Sequence, residues 1–313
     1  MAKDEPAAAK KRDASDVYDR QIRLWGKEAQ EKMAKAKVLY IHVTGVSSEV
    51  LKNLVLAGIR ATICDNRPFP SAAASTPSFL LPPSTTGEPA AKKTKFETVG
   101  AALKPVVENL NLLLGDCGII DKDVSELDAE LLKEFPIVMA SRIPPSEALR
   151  LSKIVTAAGN KFFLADCFGL YGSSLMDLGE HTFQISGTPP VEWMRYRLVL
   201  EYFEQTKRWP TADDADDFVT RSKAYLAQTT PNLPPHPVLQ EESLKTLASM
   251  DGEFAPVCAV LGGLLGNEVI KAISGKGEPA NNTLHFSADT CEAITFLVHS
   301  KANPDDDENY KKK

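Results

Sequence analysis

Gly45 and Asp65 are the first residues of this 313-residue chain whose types and spacing could do chemistry. Gly45 follows a β-branched and apolar run, Val38 to Val43. It opens a helical pattern in which Val50, Leu51, Leu54, Val55 and Ala57 are apolar while Glu49, Lys52 and Asn53 are polar. A turn at such a place grips phosphate when glycines leave backbone N–H groups bare at a helix N-terminus. Asp65 comes about 20 residues later, where an acidic side chain would hold a ribose hydroxyl. The turn, however, reads Gly45-Val46-Ser47-Ser48-Glu49-Val50, with one glycine where Gly-x-Gly-x-x-Gly has three. Val46 and Ser47 put side chains where bare backbone is wanted, which disfavours a close approach by phosphate. Asp is common at strand ends, so Asp65 alone does not establish a nucleotide site.

The cysteines offer less. They stand at 64, 117, 167, 258 and 291, scattered and with no C-x-x-C pair. That pattern suggests neither a zinc site nor a thioredoxin-type redox pair, and the odd number fits a reducing compartment. Cys258, in "FAPVCAVLGG", would need a base or a cationic neighbour to act as a nucleophile. None is near in sequence, so core packing is the expected role.

The elements that must hold these residues follow from periodicity. "DVYDRQIRLWGKEAQEKMAKA" reads as one helix or two, broken at Gly26. Residues 37–43 read as a strand, 47–57 as a helix and 60–65 as a second strand. This βαβ unit predicts a parallel, right-handed, Rossmann-like start, and with it an α/β fold. Residues 66–95 are rich in Pro, Ser and Ala and read as a long loop. Helix, short strand, helix, buried strand and helix follow, the last ending at Gly159. "NKFFLADCFGLYGSSLMDLG" reads as strand, turn, strand. Residues 189–250 change character, to two amphipathic helices and a proline-rich stretch, and read as a helical insert. "FAPVCAVLGGLLGNEVIKAISG" then makes a long apolar helix whose small residues allow close packing, and "NTLHFSADTCEAITFLVH" a closing strand pair. The organisation expected is a tail at 1–16, a Rossmann-like domain at 17–188, the insert at 189–250, a return helix and strand pair at 251–300 and a charged tail at 301–313.

Composition bounds the function. The net charge of −6 argues against broad electrostatic binding to nucleic acid. No stretch reaches 18 apolar residues, so no membrane span is expected. The N-terminus lacks the apolar region of a secretory signal. Lys10-Lys11-Arg12 reads as a solvated basic tail or as a nuclear import signal, the first being the commoner case.

Three stretches converge on one family. "YDRQIRLWG" (18–26), "LKNLVLAG" (51–58) and "FAPVCAVLGGLLGNEVIKAIS" (254–274) resemble the activating enzymes of ubiquitin-like proteins, over residues 18 to about 297. "KFFLADCFGLYG" with "LGEHTF", and the insert running directly into "APVCAVLGG", bring the likeness nearest to the small, adenylation-inactive subunits of SUMO-activating enzymes. The first motif alone also fits the regulatory subunit of NEDD8-activating enzyme, whose insert is much longer. The resemblance implies a ThiF/MoeB-type adenylation fold, mostly parallel sheet with flanking helices. It implies a heterodimer with a large catalytic subunit and contact with SUMO through the complex, with no nucleic acid or membrane as partner. ATP and Mg²⁺ would be bound by that large subunit, and this chain would hold no cofactor or metal of its own. The implied location is the nucleus, with the cytoplasm as a second. Active relatives follow the second strand with an acidic pair and a phosphate-gripping Asn-Arg-Gln run; here the chain reads "DNRPFPSAAASTPSF". They place Asp-Asn after the later strand to help hold Mg²⁺, where this chain has Ser141 and Arg142. The Arg of "YDRQ", here Arg20, would cross the interface to the partner's ATP phosphates, with Arg23 and Trp25 as packing and interface residues. Two other functions remain open at this point: a free-standing dehydrogenase or adenylase using Asp65, and a pure scaffold with no residue in any active site.

Overall fold

The computed structural model describes residues 17–69, 78, 80–81, 96–179, 191–230, 236–280 and 282–296. The expected tails at 1–16 and 301–313, the basic run at 10–12 and most of the 66–95 loop lie outside the described residues.

Two helices come first, α1 (Asp19–Trp25) and α2 (Lys27–Lys35), and the break falls at Gly26, whose φ of 88° suits glycine. β1 (Lys37–Ile41), α3 (Gly45–Leu56) and β2 (Arg60–Cys64) form the βαβ unit. α4 (Val99–Leu110), β3 (Gly118–Ile119), the four-residue α5 (Ala129–Leu132), β4 (Ile137–Ala140), α6 (Pro145–Ala157), β5 (Lys161–Phe168) and β6 (Tyr171–Asp177) follow. The insert contributes α7 (Val191–Thr206), α8 (Ala215–Thr229) and α9 (Glu241–Ala248). The last of these stands where the sequence reading saw no third helix. α10 (Ala255–Ser274), β7 (Thr283–Ser287) and β8 (Glu292–Phe296) complete the described chain.

The eight strands form one sheet in the order β3-β2-β1-β4-β5-β6-β7-β8. The first five run parallel, and β6, β7 and β8 continue antiparallel. β1 lies between β2 and β4, so the chain winds outward from it in both directions, as in doubly wound nucleotide-binding sheets. Both faces are covered: α3, α4 and α10 share one apolar core, and α6 shares the other with β4 and the inner face of β5. The insert helices carry a third core of their own around Tyr202, Phe218 and Leu244.

α10 has the length and apolar composition of a membrane span, yet half of it is buried in the core. It lies against α3, and the small residues of its sequence serve that contact. A Cβ on Gly262 would come within 2.4 Å of Glu49 Cβ and 3.2 Å of the Val46 carbonyl oxygen. The two backbones therefore touch where no side chain fits between them. Gly262→Val should lower the stability of the chain by about 1–3 kcal/mol, the usual cost of overpacking, in a urea melt followed by circular dichroism. Unchanged stability would mean that the two helices are not in register as described.

Candidate functional site

The carboxyl ends of β1 and β4 flank the point where strand order reverses, and open α/β sheets bind ligands in the crevice beyond that point. His42 follows β1 and Arg142 follows β4, both with positive φ (54° and 50°). Side-chain-bearing residues are strained there by roughly 1–3 kcal/mol and persist only when neighbours hold them. His42 N–H donates to the Cys64 carbonyl (3.1 Å), and Arg142 N–H donates to Asp166 Oδ1 (2.7 Å).

The N–H groups of Thr44, Gly45 and Val46, in the turn into α3, are all engaged within the chain. Gly45 N–H donates to Glu253 Oε2 (2.6 Å) and Val46 N–H to Glu253 Oε1 (3.3 Å). Thr44 N–H donates to Ser47 Oγ (2.8 Å), whose hydroxyl in turn donates to the His42 carbonyl (3.3 Å). The single glycine of the turn has a reason: a Cβ at Gly45 would lie 2.9 Å from Glu253 Oε2 and 3.0 Å from Cys258 Sγ. Burial pushes the Glu253 carboxyl up, against the pull of the Gly45 N–H, the Arg142 guanidinium and the Val46 N–H.

The ribose corner is engaged as well. Asp65 is buried at the end of β2, as its place in the sequence suggested, but both of its oxygens are taken. Oδ2 accepts from Val43 N–H (2.8 Å) and Arg67 Nη2 (2.6 Å), and Oδ1 accepts from Arg67 Nε (2.8 Å). Such a forked pair is the strong form of carboxylate recognition. Arg67 Nη2 also donates to the Val43 carbonyl (3.1 Å), which locks the pair onto the turn. Burial, and then the Arg67 charge, push the His42 imidazole down, against the pull of Asp65.

The third corner holds a cation of the chain's own. Ser141 is fully buried, and its hydroxyl donates to the Ala165 carbonyl. Arg142 Nη2 donates to the carbonyls of Cys167 (2.6 Å) and Asp251 (3.0 Å), and its guanidinium lies 3.9 Å from the centre of the Phe168 ring. Asp166, the carboxylate beneath it, is buried and also accepts from the Tyr196 hydroxyl (2.6 Å) of the insert. Burial pushes the Asp166 carboxyl up; Arg142 and Tyr196 work against that. Among the described residues no group of three or more His, Cys, Asp or Glu is placed to hold a metal ion.

The cysteines are built as packing. Cys64, Cys117, Cys167 and Cys258 are buried and free, and Cys291 is exposed. Burial pushes the Cys64 thiol up to about 11 and that of Cys117 up to about 12. A hydrogen bond with Cys167, and then burial, push the Cys258 thiol up as well. None of these three has the depressed pKa of a nucleophile.

Arg20 stands apart from all of this. It is exposed on α1, and its neighbour Asp19 is engaged by Arg23 (Nη2 to Oδ2, 2.8 Å). Trp25 packs on the main core. Tyr18, which anchors α1, accepts from Asn111 Nδ2 (2.7 Å), and the same nitrogen donates to the Val55 carbonyl at the end of α3 (2.7 Å). The crevice is at the other end of α3, about 18 Å away along the helix. The structure therefore brings Asp65, Ser141 and Arg142 together and leaves Arg20 on a different surface. Sequence reasoning missed Glu253 and Arg67. Arg67 is legible in hindsight, two residues beyond Asp65 with the opposite charge; Glu253, more than 200 residues from its partners, carries no local signal.

Comparisons with known proteins bear on this geometry. No protein-family profile matches the chain. SUMO-activating enzyme subunit 1B-1 of Arabidopsis thaliana is 30% identical, over 89% of this chain and 94% of its own length. The chain belongs to the family of SUMO-activating enzyme subunit 1. Another member, SUMO-activating enzyme subunit 1 of Xenopus laevis, is 26% identical over 96% of this chain and its own full length. DNA damage tolerance protein rad31 of Schizosaccharomyces pombe is 28% identical over 88% of this chain and 94% of its own length.

In this member of the family the Arg142–Asp166 contact should be the most sensitive to pH. Arg142→Ala removes the charge that pulls the buried Asp166 carboxyl down, together with the bonds to the Cys167 and Asp251 carbonyls, which should lower stability by roughly 1–3 kcal/mol at neutral pH. A carboxyl raised in the folded state favours folding below the ordinary carboxylate range, and that contribution is lost as pH climbs through the raised value. The deficit of Arg142→Ala should thus be smallest near about pH 4 and grow toward neutrality. Urea melts across that range check it; a deficit independent of pH would exclude Asp166 as its cause.

Proposed function

We propose that the chain is the adenylation-inactive half of a two-subunit SUMO-activating enzyme, and that it completes the partner's ATP site with Arg20 in trans. The observation that carries this reading is the self-filled crevice. A carboxylate sits on the turn where phosphate would bind, and a guanidinium sits near where a metal ion would be held. An ATP·Mg²⁺ complex would meet like charge at both corners. The residues present do not fit that ligand, so ATP and Mg²⁺ belong to the partner's site.

The exposed surfaces support a partner. α10 leaves Val260, Leu264 and, just ahead of it, Phe254 uncovered, and Leu24 on α1 is 72% exposed. An uncovered apolar face on α10, and an exposed arginine on α1, suit a large subunit that brings its own nucleotide. The partner in this reading is the large catalytic subunit, which carries the thioester cysteine, and SUMO is met through the complex. The proposed location is the nucleus, and secondarily the cytoplasm.

A guanidinium fits phosphate oxygens with fixed donors and stabilises charge that develops as pyrophosphate departs. Arg20→Ala should leave the complex assembled, by gel filtration, and slow ATP–pyrophosphate exchange by ~10²–10³. Arg20→Lys should recover part of the loss, since an ammonium lacks the fork. Wild-type exchange by Arg20→Ala in a complex of normal size would make the chain a scaffold. Calorimetry on the isolated chain should give no Mg²⁺-dependent ATP binding; micromolar binding would overturn the assignment of the nucleotide to the partner.

A further inference from the structure

We infer that Asp251–Phe254 is a built-in strap that shuts the crevice, with the Glu253 carboxylate standing in for a bound phosphate at the N-terminus of α3. The inference rests on the reading that this crevice takes no nucleotide. The segment leads from the insert into α10 and crosses the ends of three strands. After β1, Gly45 and Val46 N–H donate to the Glu253 carboxylate at 2.6 and 3.3 Å. After β4, Arg142 Nη2 donates to the Asp251 carbonyl at 3.0 Å. After β5, Gly169 N–H donates to the Gly252 carbonyl at 2.7 Å, and Gly169 and Glu253 form an isolated parallel bridge.

These contacts are more than a surface loop needs. The first N–H groups of any helix have no partner within the helix, and there the helix dipole favours an anion. Here the anion comes from the same chain and takes two of those donors at once. Its approach also explains why residue 45 lacks a side chain, since a Cβ there would lie 2.9 Å from Oε2. The strap thus does for this crevice what a ligand does for an active one: it engages the donors and brings a carboxylate to them.

Removing the carboxylate should re-create an anion site. Glu253→Ala should melt about 4 °C below wild type, as expected when a helix loses a cap in a chain of this size. Millimolar inorganic pyrophosphate should restore at least half of that loss. It should leave wild type and Glu253→Gln unmoved, because in both the side chain still fills the place; sodium chloride at equal ionic strength should do nothing. A variant as stable as wild type, or one destabilised without rescue by pyrophosphate, would overturn the stand-in role. Should Glu253→Ala fail to fold, amide exchange in wild type decides. Gly45 and Val46 should exchange at least about 100-fold more slowly than free amides, and fast exchange at both would overturn the contact. Failure here is distinct from failure of the proposed function, which turns on ATP binding by the unaltered chain and on Arg20.

Discussion

At Gly262 nothing separates α10 from α3, and that contact organises the rest of the molecule. With the two backbones in touch, α10 shares with α3 the core that covers one face of the sheet. The same docking fixes the start of α10, and so the place of Glu253, five residues before Cys258 and beside Gly45. A helix held farther off by a side chain could not bring a carboxylate onto two N–H groups at once. The closed crevice is thus a consequence of a packing distance set nine residues further along the chain, within α10.

Charge is handled inside the crevice in matched contacts. Asp65 has Arg67 in a forked pair, and Asp166 has the Arg142 backbone N–H with the Tyr196 hydroxyl. Glu253 has two backbone N–H groups and the nearby Arg142 charge. Buried carboxylates are tolerable only when such partners are present. The carboxyls of Asp166 and Glu253 still sit above the ordinary range, so burial outweighs the partners at both. Holding these groups therefore draws on the packing around them, including Phe168 against the Arg142 guanidinium and the third core that positions Tyr196.

How much of this was legible in the sequence depended on distance along the chain. The βαβ start, the break at Gly26, the paired strands at 161–177 and the long small-residue helix are written in local periodicity, and they stand close to where that periodicity puts them. The incomplete glycine turn was legible too, because the absence of two glycines is itself local. α9 was not: it follows a proline-rich stretch and is eight residues long, so packing against α8 and α7 decides it rather than pattern. Asp65 was read by position as a residue that could hold a ribose, without establishing a site. Its true engagement depends on a guanidinium folding back two residues, which a strand-end rule cannot register. Glu253 lies 208 residues from Gly45, and only the assembled sheet brings the two together.

A nucleotide-type fold that takes no ligand, as proposed above for this chain, inherits a physical problem. Its crevice still presents backbone donors that cannot be left buried and unpaired, at a helix end whose dipole still favours negative charge. Water could satisfy them and leave the crevice open and soft. This chain answers with its own carboxylate, and with a guanidinium at the corner where a metal ion would otherwise screen charge. The result is a crevice whose turn is hydrogen-bonded within the chain. Arg20, proposed above to act in trans, sits on a short helix anchored through Tyr18 to the far end of α3. The position of that arginine is only as well defined as α3 itself, and α3 is held at one end by Asn111 and at the other by Glu253.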